Sequence, residues 1–148
     1  MCWFTDRMAV LKGGDTIIVN FTNHASANWP QTQTEAASIY GSIKDLPFPE
    51  VDPNGDEEYL AKLAEAYAGE ILSHAPSAVL CQGEMTLSFA VTNILLEKGV
   101  KVLAACSGRD VTESINEGGV ATKKVGFRFV RFREYVQPLK YKGVVYEN

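Results

Sequence analysis

Short β-branched apolar runs alternate along this chain with longer segments of helical periodicity, and that alternation limits the possible folds more than any other feature. The first run, Thr16-Ile17-Ile18-Val19-Asn20-Phe21, suits a strand buried on both faces. It breaks into a polar stretch, Thr22 to Asn28, and Pro30 then suits the first turn of a helix, where no N–H partner is lost. That helix is predicted to reach Tyr40 and stop at Gly41. Ser42 to Leu46 reads as a second strand, ended by Pro47-Phe48-Pro49. The turn cluster Asp52 to Asp56 feeds a second helix, in which Leu60, Leu63, Ala64, Tyr67, Ala68, Ile71 and Leu72 make one apolar stripe.

Ser77 to Cys81 is the third strand, and Gln82 to Thr86 turns into a helix over Leu87 to Lys98, stopped by Gly99. Val100 to Cys106 is the fourth strand, with Ser107-Gly108-Arg109-Asp110 read as the polar turn that ends it. Asn116 to Gly119 is a further turn, and Lys123 to Tyr135 reads as an extra strand. The order β-α-β-α-β-α-β-β predicts an α/β fold, with a mostly parallel sheet and helices on both faces. Ligands of such sheets bind beyond the strand carboxyl ends, where the strand order reverses. The domain is expected to span 15–137, with 1–14 an N-terminal extension and 138–148 a tail or edge strand.

The chain has 148 residues, enough for one domain with a substantial core. Its 14 Lys and Arg face 18 Asp and Glu, a net charge of −4 that disfavours generic binding to duplex nucleic acid. Cys2, Cys81 and Cys106 form neither a disulfide framework nor a zinc-type pair. Met1 to Gly14 does not read as a signal peptide and no apolar run has the length of a membrane span, so a cytoplasmic location is expected. The helix Leu87 to Leu96 is apolar over much of its circumference, and with the aromatic tail it predicts a surface shared with a second copy.

Three polar clusters follow the first, third and fourth strands and are predicted to share one edge of the sheet. The first is Asn23-His24-Ala25-Ser26 with Asn28 and Trp29, which offers amide and hydroxyl donors, an imidazole and a stacking surface. Ser26 or Asn28 would serve equally as a helix cap, and Trp29 as a core lid. The second is Gly83-Glu84-Met85-Thr86. Gly83 would let backbone N–H groups approach an anion, Thr86 would donate a hydroxyl, and Glu84 would act as a base or as an acidic partner of the helix dipole. The third is Ser107-Gly108-Arg109, where the arginine would fork onto phosphate oxygens or form a surface salt bridge to Asp110 or Glu113. His74, at a helix end, reads as a C-terminal charge partner.

Phe127 to Arg133 interleaves aromatic and basic residues as single-strand binders do, although a buried strand whose arginines leave the sheet edge explains the same pattern. A Walker loop, a dinucleotide fingerprint and a G-x-S-x-G elbow are absent. No second histidine or carboxylate stands at ligand spacing from His24, so neither a metal nor a cofactor is expected.

The segments Ile17 to His24, Asp45-Leu46-Pro47-Phe48-Pro49, Gly83-Glu84-Met85-Thr86 and Phe132-Arg133-Glu134-Tyr135 together resemble small stand-alone CRISPR-associated proteins. These belong to the Rossmann-like (CARF-like) group that senses or degrades cyclic oligoadenylate messengers. The resemblance implies a Rossmann-like fold and a homodimer, with the messenger, tetra-adenylate in particular, across the two-fold axis. Ring-nuclease members of the group cut without metal, as a ribose 2′-hydroxyl attacks the neighbouring phosphate. By position, His24 would then move the proton and Ser107 and Arg109 would stabilise developing charge. Asn23, Ser26, Asn28, Trp29, Gly83, Glu84, Thr86 and Gly108 would bind the ligand. A binding protein that sequesters the messenger, and a Rossmann-like enzyme on mononucleotides or nucleosides, remain alternatives.

Overall fold

The computed structural model describes residues 15–137; the expected extension 1–14 and tail 138–148 lie outside them. Five strands and three α-helices follow in the order β1 (Ile17–Thr22), α1 (Gln31–Ser38), β2 (Ser42–Asp45), α2 (Glu57–Ser73), β3 (Ala78–Gln82), α3 (Met85–Glu97), β4 (Lys101–Ile115) and β5 (Ala121–Glu134). The sheet order is β2-β1-β3-β4-β5. The first four strands in that order run parallel, and β5 is antiparallel to β4. From β1 the chain passes outward to β2 and then returns to the other side of β1 as β3, so the order reverses between β1 and β3.

Successive residues of β1 point to opposite sides of the sheet and enter different clusters. Val19 and Phe21 pack with Ala64, Ala68 and Ile71 of α2 and with Leu87, Val91 and Leu95 of α3. Ile18 instead joins Leu80, Leu103, Phe132 and Ala37 of α1. Phe21 sits between two rings, 4.6 Å from Phe48 and 5.3 Å from Tyr67. The side chains of α3 that promised an intermolecular surface are largely used inside the chain, because Leu87, Val91 and Leu95 are fully buried. Its uncovered apolar residues are Met85 and Phe89, one turn apart and 82% and 70% exposed.

Local chemistry explains the element boundaries. Pro30 lies one position before α1 rather than within it, with an extended ψ of 152°, and its carbonyl accepts from Gln33 and Thr34. Beyond α1, Gly41 has φ 131°, and a Cβ there would strike the Thr16 carbonyl. The Asp56 side chain caps α2 by accepting from the Tyr59 N–H at 2.9 Å. His74 forms the C-cap of that helix.

The fourth strand departs most from expectation. Ser107-Gly108-Arg109-Asp110 is not a turn, since β4 runs on through it to Ile115. The register with β5 continues from Leu103↔Glu134 to Ile115↔Ala121, shifted once by an irregularity between Cys106 and Ser107. A shift of this kind bends and twists a ribbon without ending it. The true turn is at Asn116, whose Oδ1 accepts from Gly118 and Val120 N–H groups at 3.0 Å each. Nor is β5 a buried strand: Phe132 alone is buried, Phe129 is half-buried, and the other twelve residues are exposed. Beyond Ser107 the two strands therefore form an arm that leaves the body.

Candidate functional site

A crevice of about 630 Å³ opens on the sheet edge where β1 and β3 end, which is where the strand order reverses. That volume falls within the range of small-molecule sites. Its walls come from the loop after β1 (Asn23, His24, Asn28, Trp29), the end of β3 (Gln82, Gly83) and the base of the arm (Ser107, Phe127, Phe129). Gln33 of α1 adds an amide.

One buried amide organises the first wall. Asn20 is 1% exposed in the middle of β1; its Nδ2 donates to the His24 carbonyl and to Asp45 Oδ1, both at 2.8 Å. Its Oδ1 accepts from the Thr22 hydroxyl at 2.8 Å. The His24 carbonyl also lies 3.1 Å from the Trp29 indole N–H, and the His24 N–H donates to Thr22 Oγ1 at 3.1 Å. From β2, Asp45 closes the loop by accepting from the Ser26 hydroxyl at 2.9 Å and the Ser26 N–H at 3.2 Å. Burial pushes the Asp45 carboxyl up, but the bonds from Asn20 and Ser26 and the Lys44 charge outweigh it and hold the group below its ordinary value. Unsatisfied groups in such a network would be costly, so its completeness fixes the loop.

The polar side chains of this loop divide into two sets. Asn20, Thr22, Ser26 and Asp45 are spent holding the backbone, Thr22 lining the crevice as well. Asn23, His24, Asn28, Gln33 and Ser107 line the crevice, and among the described residues their side chains have no hydrogen-bond partner. Trp29 belongs to both sets: its N–H anchors the loop while its ring packs 6.3 Å from Phe132 and faces the crevice.

Gly83 lines the floor, where a Cβ would run into the Phe48 ring; close packing alone requires glycine there. Glu84 and Thr86 do not line the crevice. The Glu84 carboxylate caps α3, accepting from the Leu87 N–H at 2.9 Å and from the Thr86 N–H and hydroxyl. Those bonds, led by Leu87, hold its pKa below the ordinary value. Gln82 is likewise committed, because its amide pairs with the Ala105 backbone, accepting from the N–H at 2.9 Å.

On the arm, residues two apart share a face. Ser107 and Arg109 therefore share theirs with their cross-strand partners Phe129 and Phe127, two crevice-wall residues. Arg109 stands one step further along the strand and does not line the crevice. The salt bridge that was one of its two alternatives does not form: Asp110 pairs with Arg128 at 3.3 Å and Glu113 with Lys123 at 3.4 Å. Among the described residues Arg109 has no ion-pair partner. Gly108 lies on the other face, against the Arg128 side chain, and does not line the crevice.

The sequence reading thus placed Asn23, His24, Asn28, Trp29, Gly83 and Ser107 where the structure brings them together. Ser26, Glu84, Thr86, Gly108 and Arg109 fall outside the crevice wall. It missed Asn20, Asp45, Gln33, Phe127 and Phe129. Asn20 did leave a signal, as the one amide inside an otherwise apolar buried run.

Residues 16–133 match the model of the Uncharacterized protein MJ1673 family. The chain belongs to this family. The matched span runs from β1 to the penultimate residue of β5 and includes every crevice residue and the whole arm. No curated protein matches the chain. The crevice combines the aromatic side chains of Trp29, Phe127 and Phe129 with the amides of Asn23, Asn28 and Gln33 and the Ser107 hydroxyl.

Proposed function

We propose that this protein binds a cyclic oligoadenylate, tetra-adenylate in particular, and opens the ring without a metal. The observation that carries the reading is the sorting of the crevice: uncommitted amides and aromatic rings beside Ser107, with Arg109 one step further out, at the switch point of a mostly parallel sheet. Trp29, Phe127 and Phe129 would stack on adenines, and Asn23, Asn28 and Gln33 would meet their edges. A cytoplasmic location goes with this reading; among the described residues, no helix is long and apolar enough to cross a membrane.

In the reaction, the 2′-oxygen of one ribose bonds to the adjacent phosphorus and the bond to the 5′-oxygen breaks. The products are a 2′,3′-cyclic phosphate and a 5′-hydroxyl. A proton leaves the 2′-hydroxyl and another reaches the departing oxygen. His24, the imidazole of the crevice, carries the proton transfer, with Arg109 and Ser107 on the phosphorane charge.

The second reading is binding without cleavage. It draws on the His24 ring, whose nitrogens have no orienting partner among the described residues, whereas catalytic bases are usually held by a third group. Nothing comparable favours an enzyme on mononucleotides, since Glu84, its ribose contact, is committed to capping α3.

Incubation with cyclic tetra-adenylate in EDTA tests both. Linear products with cyclic phosphate ends are expected, and His24→Ala should slow single-turnover cleavage at least about a hundredfold with little change in binding. Retention of intact ligand would establish the second reading. Absence of binding would overturn the assignment.

A further inference from the structure

The arm is amphipathic. Its crevice-side face carries Val111, Ile115, Ala121, Val125 and Phe127, interrupted by Arg109 and the Glu113–Lys123 pair. The opposite face carries Thr112, Ser114, Thr122 and Lys124, together with the Asp110–Arg128 pair and a 3.1 Å contact between the Ser114 and Thr122 hydroxyls. The polar face is thus partly paired within the arm, while among the described residues the apolar face stays open: Ile115 is 76% and Phe127 79% exposed. A two-stranded ribbon standing alone in water is marginally stable at best. This one needs a cover.

Charge says what the cover is. Residues 15–107 contain twelve Asp and Glu against four Lys and Arg, whereas the arm itself, residues 108–128, contains four Lys and Arg against three acids. On its apolar face Glu113 and Lys123 offset each other, so Arg109 is the one charge there without a partner among the described residues. That face is net positive and the body net negative, so the surface that attracts the arm is the body of another copy of the same chain. That body also carries an exposed apolar pair, Met85 and Phe89, in the first turns of the helix that Glu84 caps. In a two-fold assembly, when patch i of one copy meets patch j of the other, the converse contact forms as well.

Area supports an exchange over a simple meeting of two arms. Eight residues past Ser107, at about 3.3 Å each, give a ribbon face roughly 25 Å long, far short of the ~800 Å² per partner of a stable interface if arms met only arms. Laying each arm on its partner's body counts the arm and its receiving surface twice over. We propose that the β4–β5 arm embraces a second copy of this chain, its apolar face on the Met85–Phe89 patch, in a reciprocal two-fold dimer. The proposal does not rest on the identity of the ligand, and its test contains none.

Sedimentation velocity across micromolar concentrations is expected to show a dimer that weakens as salt rises. Val111→Glu with Ile115→Glu should weaken association by about thirtyfold or more, the range for hot-spot residues. Phe89→Glu should do the same from the receiving side, and Thr112→Glu, on the polar face, should leave the dimer intact. A monomeric wild-type protein would overturn the proposal. So would a dimer indifferent to the arm and Phe89 variants, or one broken equally by Thr112→Glu. Since the substituted side chains lie outside the core, an unchanged thermal midpoint separates lost association from lost folding.

Discussion

Asn20 shows how much a single buried amide can decide. A leucine there would suit the apolar run better, yet only an amide can donate to both the His24 carbonyl and Asp45 while accepting from Thr22. Asn20→Ala leaves those partners unpaired and is expected to cost about 1–3 kcal/mol in denaturant unfolding, with weaker ligand binding as the loop loosens. Asp45 makes the same network sensitive to acid. Its folded pKa lies below the ordinary 3.8, so its contribution is fully present above that value and disappears as pH falls through the lowered one. Thermal midpoints measured from pH 6 downward should therefore drop more steeply, on reaching the acid side of about pH 4, in the wild type than in Asp45→Asn. Arg109 is the opposite case, with no structural partner to lose. Arg109→Ala should leave the thermal midpoint unchanged while reducing affinity for an anionic ligand by about 1.5–3 kcal/mol, read by calorimetric titration. Lost stability with unaltered affinity would show the guanidinium to be structural.

At the scale of elements, the helices and the four parallel strands were readable because period and punctuation agree. The α2 stripe, the Asp52–Asp56 cluster and the glycines after α1 and α3 each mark a boundary on physical grounds. The cap of α3 carries a direct consequence. Glu84→Ala removes the acceptor for the Thr86 and Leu87 N–H groups and should lower stability by about 0.5–2 kcal/mol without altering affinity, since neither Glu84 nor Thr86 lines the crevice. The arm was misread because Ser-Gly-Arg-Asp has turn composition, and composition cannot distinguish a turn from a solvated ribbon that carries polar residues on one face. The crevice was half legible for the same reason. Residues that follow strands directly could be located from the alternation, whereas Phe127 and Phe129 arrive from a strand paired across a turn, and their place depends on a register the sequence does not display.

Over the whole molecule, charge separates along the chain: an acidic body followed by a segment holding all the described arginines. The overall −4 conceals this separation. β4 joins the two parts without a break, since its first residues pair with β3 in the core while its last stand free in the arm. Such a strand is a lever with its fulcrum at the Cys106–Ser107 irregularity and its short end in the crevice wall. Whatever grips the long end also sets the position of Ser107 and Phe129. By thermodynamic linkage, the factor by which a crevice ligand tightens self-association must equal the factor by which self-association tightens the ligand. Dissociation constants for the dimer with and without saturating ligand, compared with ligand affinities above and below the dimer's own dissociation constant, should give one and the same ratio, different from unity. A ratio of one would mean that the two ends of β4 act independently.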